Sequence, residues 1–132
     1  MQKKNQKTRE ITFYSEKNKE TRFVHSTGAR RIAEKLERDD TVASYRTNVE
    51  LLNVDSTIDR LGIRPLYFST EWTSDFYVTM TDGTRIVYEV SNAKILEQKA
   101  TVEQLELSRR YWETKEINSW KVIIIKKEET AW

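Results

Sequence analysis

The sequence contains no cysteine, one histidine, one proline and three glycines. Without cysteine there is no thiol nucleophile, iron–sulfur cluster, zinc finger or disulfide framework. A single histidine, His25, cannot build a His-rich metal site and makes a Ser/His/Asp triad a poor fit; the start of a helix is its expected place. Scarce Gly and Pro argue against low-complexity linkers. No apolar run approaches the ~18–20 residues of a membrane span, and the opening MQKKNQKTRE has no apolar stretch of the kind that directs secretion. The expectation is a soluble, non-secreted, cytoplasmic protein with no membrane partner.

The chain has 132 residues, one domain's worth on a prior of roughly 100–200 residues. A chain of this size buries about two-thirds of its unfolded surface and needs no staple. Charge is nearly balanced at +2, but unevenly distributed. Residues 1–22 hold seven Lys/Arg against three Glu, leaving 16 basic and 18 acidic residues elsewhere. The division is a basic N-terminal arm over 1–22, with a short strand expected around Ile11–Tyr14, and a folded domain over 23–132. Such an arm suits a polyanion contact, with a solvated tail as the alternative.

Ser26 or Thr27 is a plausible N-cap, and Ala29, Ile32, Ala33 and Leu36 follow at the spacing of one helix face. That helix is expected to end near Asp39–Asp40. Alternation from Val42 to Leu52 predicts a strand. Residues 53–65 read as a loop with one helical turn, and Leu66–Ser69 as a short strand. Ser74–Met80 and Thr84–Val90 read as two strands joined through Asp82-Gly83, the strongest short-range hairpin signal. Thr101 and Gln104 have capping-box spacing before a helix from about Val102 to Lys115, whose shared face is Val102, Leu105, Arg109 and Trp112. The apolar run Val122–Ile125 predicts a central strand covered on both faces. The fold class is α/β, a mixed central sheet flanked by helices, with the 26–38 helix on one side and the 102–115 helix on the other.

Asp75 heads the first hairpin strand and Glu89 lies near the end of the second. The hairpin brings them side by side, with carboxylates expected within about 6 Å, the range over which two such groups share an ion. An Asp on one strand and Glu-x-Lys on the next is the layout of metal-dependent nucleases, in which carboxylates hold Mg²⁺ or Mn²⁺ and a lysine steadies developing charge. Here the second strand reads Glu89-Val90-Ser91, and acidic residues on adjacent strands are common in structural roles.

The segments LELSRRYWETKEINSWKVIII (105–125), TSDFYVTMTDGTRIVYEV (73–90) and HSTGARRIAEKLERDDTVASYRTNVEL (25–51) resemble the TnsA-type endonuclease subunit of heteromeric transposons. The resemblance covers about residues 22–127. It implies a restriction-endonuclease-like fold, Mg²⁺-dependent cutting of double-stranded DNA and an integrase-type transposase as partner. Small phage head-completion nucleases look similar. The transposon proteins carry a second, C-terminal domain outside this sequence, so a phage structural protein, and a place in a virion, are the alternative partner and setting. A homo-oligomer stays open.

Carried over position by position, the family's Asp matches Asp75 and its Glu matches Glu89, the implied metal ligands. The catalytic lysine falls on Ser91, the first-helix Glu on Ala29 and a second-helix Glu on Ser108. Three charged positions are thus small and neutral. Two carboxylates hold a divalent ion only loosely, and losing one electrostatic group costs about 10²–10³ in rate. The expected reading is a degenerate nuclease scaffold that binds DNA, as a structural or partner-dependent component. The alternative is an active enzyme whose lysine has moved to Lys94, three residues on. Glu34 and Glu37 are candidates to replace the first-helix acid, although Glu34 lies ~140° around the helix from Ala29 at about 100° per residue. Candidate phosphate contacts are Arg30, Arg31, Arg109 and Arg110 on the helices and Lys3, Lys4 and Lys7 on the arm, with internal ion pairs as the competing use. Trp112 and Trp120 read as core or interface residues, Trp72 as a neighbour of the cleft and Trp132 as a docking aromatic.

Overall fold

A computed structural model describes residues 1–5 and 9–126. Its centre is the Asp82-Gly83 hairpin. β5 (Trp72–Met80) and β6 (Arg85–Asn92) run antiparallel, in register from Phe76↔Tyr88 to Thr79↔Arg85. Gly83 takes φ +89°, a conformation that a Cβ disfavours, and the Thr84 N–H donates to Asp82 Oδ1 at 2.9 Å.

β4 (Val42–Glu50) lies along one edge of β5, from Val42↔Met80 to Glu50↔Thr73. β7 (Ser119–Ile125) returns parallel to β6 after α3 (Lys99–Glu113). A two-residue strand, β1 (Gln2–Lys3), pairs with Thr73 and Trp72 and completes a five-stranded mixed sheet. β2 (Ile11–Ser15) and β3 (Glu20–Val24) form a separate hairpin. This is the expected sheet between helices. α1 (Thr27–Arg38) is capped as predicted, the Ser26 hydroxyl accepting from the Ala29 N–H at 3.0 Å.

Each sheet face carries its own core. Against α1 lie Val42, Tyr45, Phe76 and Val78, with Phe13 and Val24 of the small hairpin. Against α3 lie Trp72 and Val87, with Leu107, Tyr111 and Trp112. Fully burying a side chain of this size contributes about 1.5–3 kcal/mol, so these faces fix which end of β5 and β6 meets which helix. Among the described residues no helix is long and apolar enough to cross a membrane.

Three expectations are corrected. Leu66–Ser69 is no strand: Pro65–Phe68 forms a 3₁₀ turn, as a proline with fixed φ at its first position favours. β7 is an edge strand, paired only with β6 among the described strands, and Ile124 is 51% exposed. α3 begins at Lys99, upstream of the Thr101–Gln104 spacing, and Val102 is exposed while Leu107, Ser108 and Tyr111 are buried. Within residues 1–22, β1 joins the sheet, and β2, at the short strand expected around Ile11–Tyr14, pairs with β3. The turn between β2 and β3 has no glycine; Lys19 takes φ +59°, while the Asn18 N–H and side-chain amide both donate to Ser15 Oγ. α2 (Val54–Thr57) is the expected helical turn in the 53–65 loop.

Candidate active site

β5 has two edges. β4 takes one along its length; β6 and β1 share the other, with β6 bonded to residues 76–79 and β1 to residues 72–73. Between those ladders the strands diverge, and Asp75 and Glu89 fill the gap. Each carboxylate caps a backbone donor of the opposite strand. The Asp75 N–H donates to Glu89 Oε1 at 3.1 Å, and the Val90 N–H to Asp75 Oδ2 at 2.7 Å. Divergence orphans these N–H groups, and a buried orphan is costly.

The two acids also share one cation. The Met1 ammonium lies 2.7 Å from Asp75 Oδ2 and 3.1 Å from Glu89 Oε1. The carboxylates are therefore as close as the sequence reading required. β1 places this group, because its pairing with Thr73 and Trp72 aims the first residue into the fork.

Glu89 is fully buried. Its Oε2 accepts from the Ser74 hydroxyl at 2.6 Å and from the Ser108 hydroxyl. Behind them the Trp112 indole N–H donates to Ser74 Oγ at 2.8 Å and the Trp120 indole N–H to Ser108 Oγ at 3.0 Å. Burial pushes the Glu89 carboxyl above its ordinary range; the ammonium and both hydroxyls oppose that shift, and Asp75 adds to it. Burial lowers the Met1 ammonium, but the two carboxylates outweigh it and hold the group at about 10.

Two of the three neutral positions lie beside this pair. Ala29 and Asp75 line one cavity of about 30 Å³, together with Gln2, Ser26 and Asn48. Ser108 touches Glu89 directly. Ser91 is buried, and its hydroxyl has no hydrogen-bond partner among the described residues. Lys94 is exposed, follows β6 and pairs with neither acid. Glu34 faces Arg30 at 3.8 Å. Glu37 serves the far end of α1, accepting from the Ser15 and Tyr45 hydroxyls and the Lys17 N–H. Neither replaces an acid at Ala29. No group of three metal-ligating side chains occurs among the described residues. Asp75 and Glu89 are the right donor types for Mg²⁺, and one oxygen of each lies against the Met1 ammonium.

The predicted basic contacts divide. Arg109 is bound to Glu106 and Glu113, and Arg110 to Glu106 and to the Asp59 and Leu61 carbonyls, so both are committed to internal partners. Arg30 stacks over the Phe13 ring at 4.2 Å, and Arg31 is half-buried on the same helix. Lys3 and Lys4 line a hollow of about 270 Å³ beside His25 and Asn48, with Lys4 3.0 Å from Glu50. The His25 ring meets the Arg9 carbonyl and the edge of Phe23. Lys7 and Trp132 lie outside the described residues.

Sequence reasoning missed a larger groove of about 630 Å³ across β3, β4 and the end of α3. Arg22, Arg46, Arg85 and Lys115 line it, against Glu50 and Glu116. Arg46 lies over the Tyr77 ring at 4.9 Å. The signal was there, since Arg46 is one of the polar alternates of the Val42–Leu52 pattern, but only the fold sets it opposite Lys115. Asn48 lines this groove, the Lys3–Lys4 hollow and the Asp75 cavity alike, so the three adjoin at that residue.

The family model for the TnsA-like endonuclease N-terminal domain matches residues 39–124, from the start of β4 to near the end of β7. The match includes Asp75, Glu89, Ser91 and Ser108, and α1 with Ala29 precedes it. No curated protein matches the chain. On this match, which spans well over half of its length and nearly all of β4 to β7, the chain belongs to the TnsA-like endonuclease N-terminal family.

Proposed function

We propose that this protein is a DNA-associated component of a transposon's cutting machinery, with a nuclease scaffold that holds duplex DNA but does not hydrolyse it unaided. The observation that carries the reading is the neutral set: Ala29, Ser108 and Ser91 stand where the resemblance puts two acids and a lysine. In this class a carboxylate-bound divalent ion supplies the activated water and part of the charge compensation. This chain offers Asp75 and Glu89, but no lysine at the strand position and no third acid. The exposed Lys94 supports depletion rather than relocation. Cutting then depends on a partner, and an integrase-type transposase fits the resemblance.

The duplex lies along the groove of Arg22, Arg46, Arg85 and Lys115, which leads past Lys3 and Lys4 to the fork. These side chains offer phosphate contacts that carry no sequence information. The test is fluorescence anisotropy with a labelled duplex over a salt series. We expect binding that falls steeply with salt, and a log–log slope that loses about 0.9 per phosphate contact removed in the triple variant Arg46→Ala/Arg85→Ala/Lys115→Ala. Binding undetectable at about 50 mM salt, where phosphate contacts remain strong, or unchanged in the variant, contradicts the reading. An Arg109→Ala/Arg110→Ala control should leave the slope unchanged.

A further inference from the structure

The β2–β3 hairpin has two unlike faces. Phe13 and Val24 turn inward to the core against α1, and Ser15 bonds Glu37 of that helix. The alternate positions, Thr12 and Tyr14 on β2 and Thr21 and Phe23 on β3, are exposed. Thr12 lies opposite Phe23 and Tyr14 opposite Thr21. The two rings are therefore diagonal neighbours on one face, at positions roughly 7–8 Å apart and within reach of aromatic side chains. Tyr14 is 56% exposed and Phe23 38%. Large apolar side chains exposed side by side mark a contact surface in a way that scattered single ones do not.

The surroundings of the rings say what they meet. Phe23 lines both the groove of about 630 Å³, with Arg22, Arg46, Arg85 and Lys115, and the hollow of about 270 Å³, with Lys3 and Lys4. Thr21 lines the groove as well. Glu10, Glu50 and Glu116 stand among these six cations, so the balance on either side of the rings is positive. An apolar protein surface would match the rings and leave the cations unused. A polyanion with flat apolar faces matches both. In a duplex those faces are hidden in the base stack; an unpaired strand offers them, and stacking accepts any base because every base has a π-face.

We propose that the outer face of the β2–β3 hairpin is a stacking platform for unpaired DNA, with Tyr14 and Phe23 receiving bases while the flanking cations hold phosphates. The inference rests on the reading of the groove as a duplex contact, and it names the DNA that this protein prefers: a duplex carrying a single-stranded tail. The paired part lies on Arg46, Arg85 and Lys115, and the unpaired bases turn onto the hairpin. The His25 ring meets Phe23 in a T-shaped pair at 5.5 Å, which fixes the orientation of the Phe23 ring.

The test is fluorescence anisotropy with four labelled probes: a blunt duplex, the same duplex with a thymidine tail on its 5′ or its 3′ end, and the better tail rebuilt from abasic nucleotides. The tails are about ten nucleotides long, within the span of such surfaces. We expect at least one thymidine tail to bind at least about tenfold more tightly than the blunt duplex, and the abasic tail to lose the gain. Tyr14→Ala/Phe23→Ala should lose it too, while keeping the blunt-duplex affinity and salt slope. Tyr14→Phe/Phe23→Tyr, which retains both rings, should keep it. Equal binding of tailed and blunt duplexes overturns the platform and leaves the groove standing. An abasic tail as good as thymidine overturns it as well, since the contact is then to phosphate alone. Failure of every probe to bind overturns both readings. Self-association in sedimentation that Tyr14→Ala/Phe23→Ala abolishes would assign the face to a second copy of the chain and contradict the proposal.

Discussion

At the scale of single residues, Glu89 shows why its neighbours are small. A fully buried carboxylate survives only if its lone pairs are occupied, and here Ser74, Ser108, the Asp75 N–H and the Met1 ammonium occupy them. A glutamate at 108 would bring a third negative charge against this group; serine brings a donor instead. Ser108→Ala should therefore destabilise by about 1–3 kcal/mol, the penalty for under-satisfied buried polar groups, because Glu89 loses a donor and the Trp120 indole loses its acceptor. Urea unfolding should show a lower midpoint at unchanged slope. A midpoint equal to wild type would mean that the network does not support the fold. Asp75 and Glu89 were legible from sequence because a hairpin fixes strand positions relative to one another. Their hydroxyl and indole supports were not, because Ser74, Trp112 and Trp120 come from three elements whose meeting is a tertiary event. Met1 carried no sequence signal at all, since a terminal ammonium is invisible to any residue pattern.

At the scale of elements, the sheet is held to its loops by ion pairs placed at element ends. The loop before Pro65 is tied to α3 through Arg64. Its N–H and guanidinium both donate to Glu103, at 2.7 Å for the N–H and 2.7 Å for Nη2. Hydrogen bonds from Arg64 hold the Glu103 carboxyl down to about 2. A carboxylate with a depressed folded-state pKa adds stability that is fully present above its unfolded pKa and is lost as pH falls towards the folded value. The difference in Tm between wild type and Glu103→Gln should thus be constant above about pH 5 and shrink between about pH 4.5 and 2. A difference that does not change across that window would refute the assignment. The hairpin, α1 and the β7 segment were readable from period, cap and turn chemistry. β1 and the pairing of β2 with β3 were not, although a short strand around Ile11–Tyr14 was legible, since two residues carry no period and the second hairpin turns through Asn18 and Lys19 rather than through glycine. The 3₁₀ turn at Pro65–Phe68 was misread because an apolar run of four has the same composition in a strand.

At the scale of the whole molecule, one sheet does two jobs at opposite ends of β5. Where β5 and β6 stay paired, Phe76, Val78 and Val87 build the two cores; where they part, the buried carboxylate pair lies near the basic hollow. The fold is that of the TnsA-like endonuclease N-terminal family, and its charge set, on the proposed reading, is reduced. The balance of +2 over the chain hid the groove, because Arg22, Arg46, Arg85 and Lys115 are far apart in sequence and only topology gathers them. The central claim is that the scaffold persists while unaided cutting does not, and nicking of supercoiled plasmid by the purified chain with Mg²⁺ and with Mn²⁺ tests it most directly. The account predicts no nicked product above the buffer control from the wild type, and product from the Ala29→Glu/Ser91→Lys variant that restores two of the missing charges. Nicking by the wild type that disappears in Asp75→Ala would contradict it and show a live enzyme, and loss in Lys94→Ala as well would place the missing lysine there.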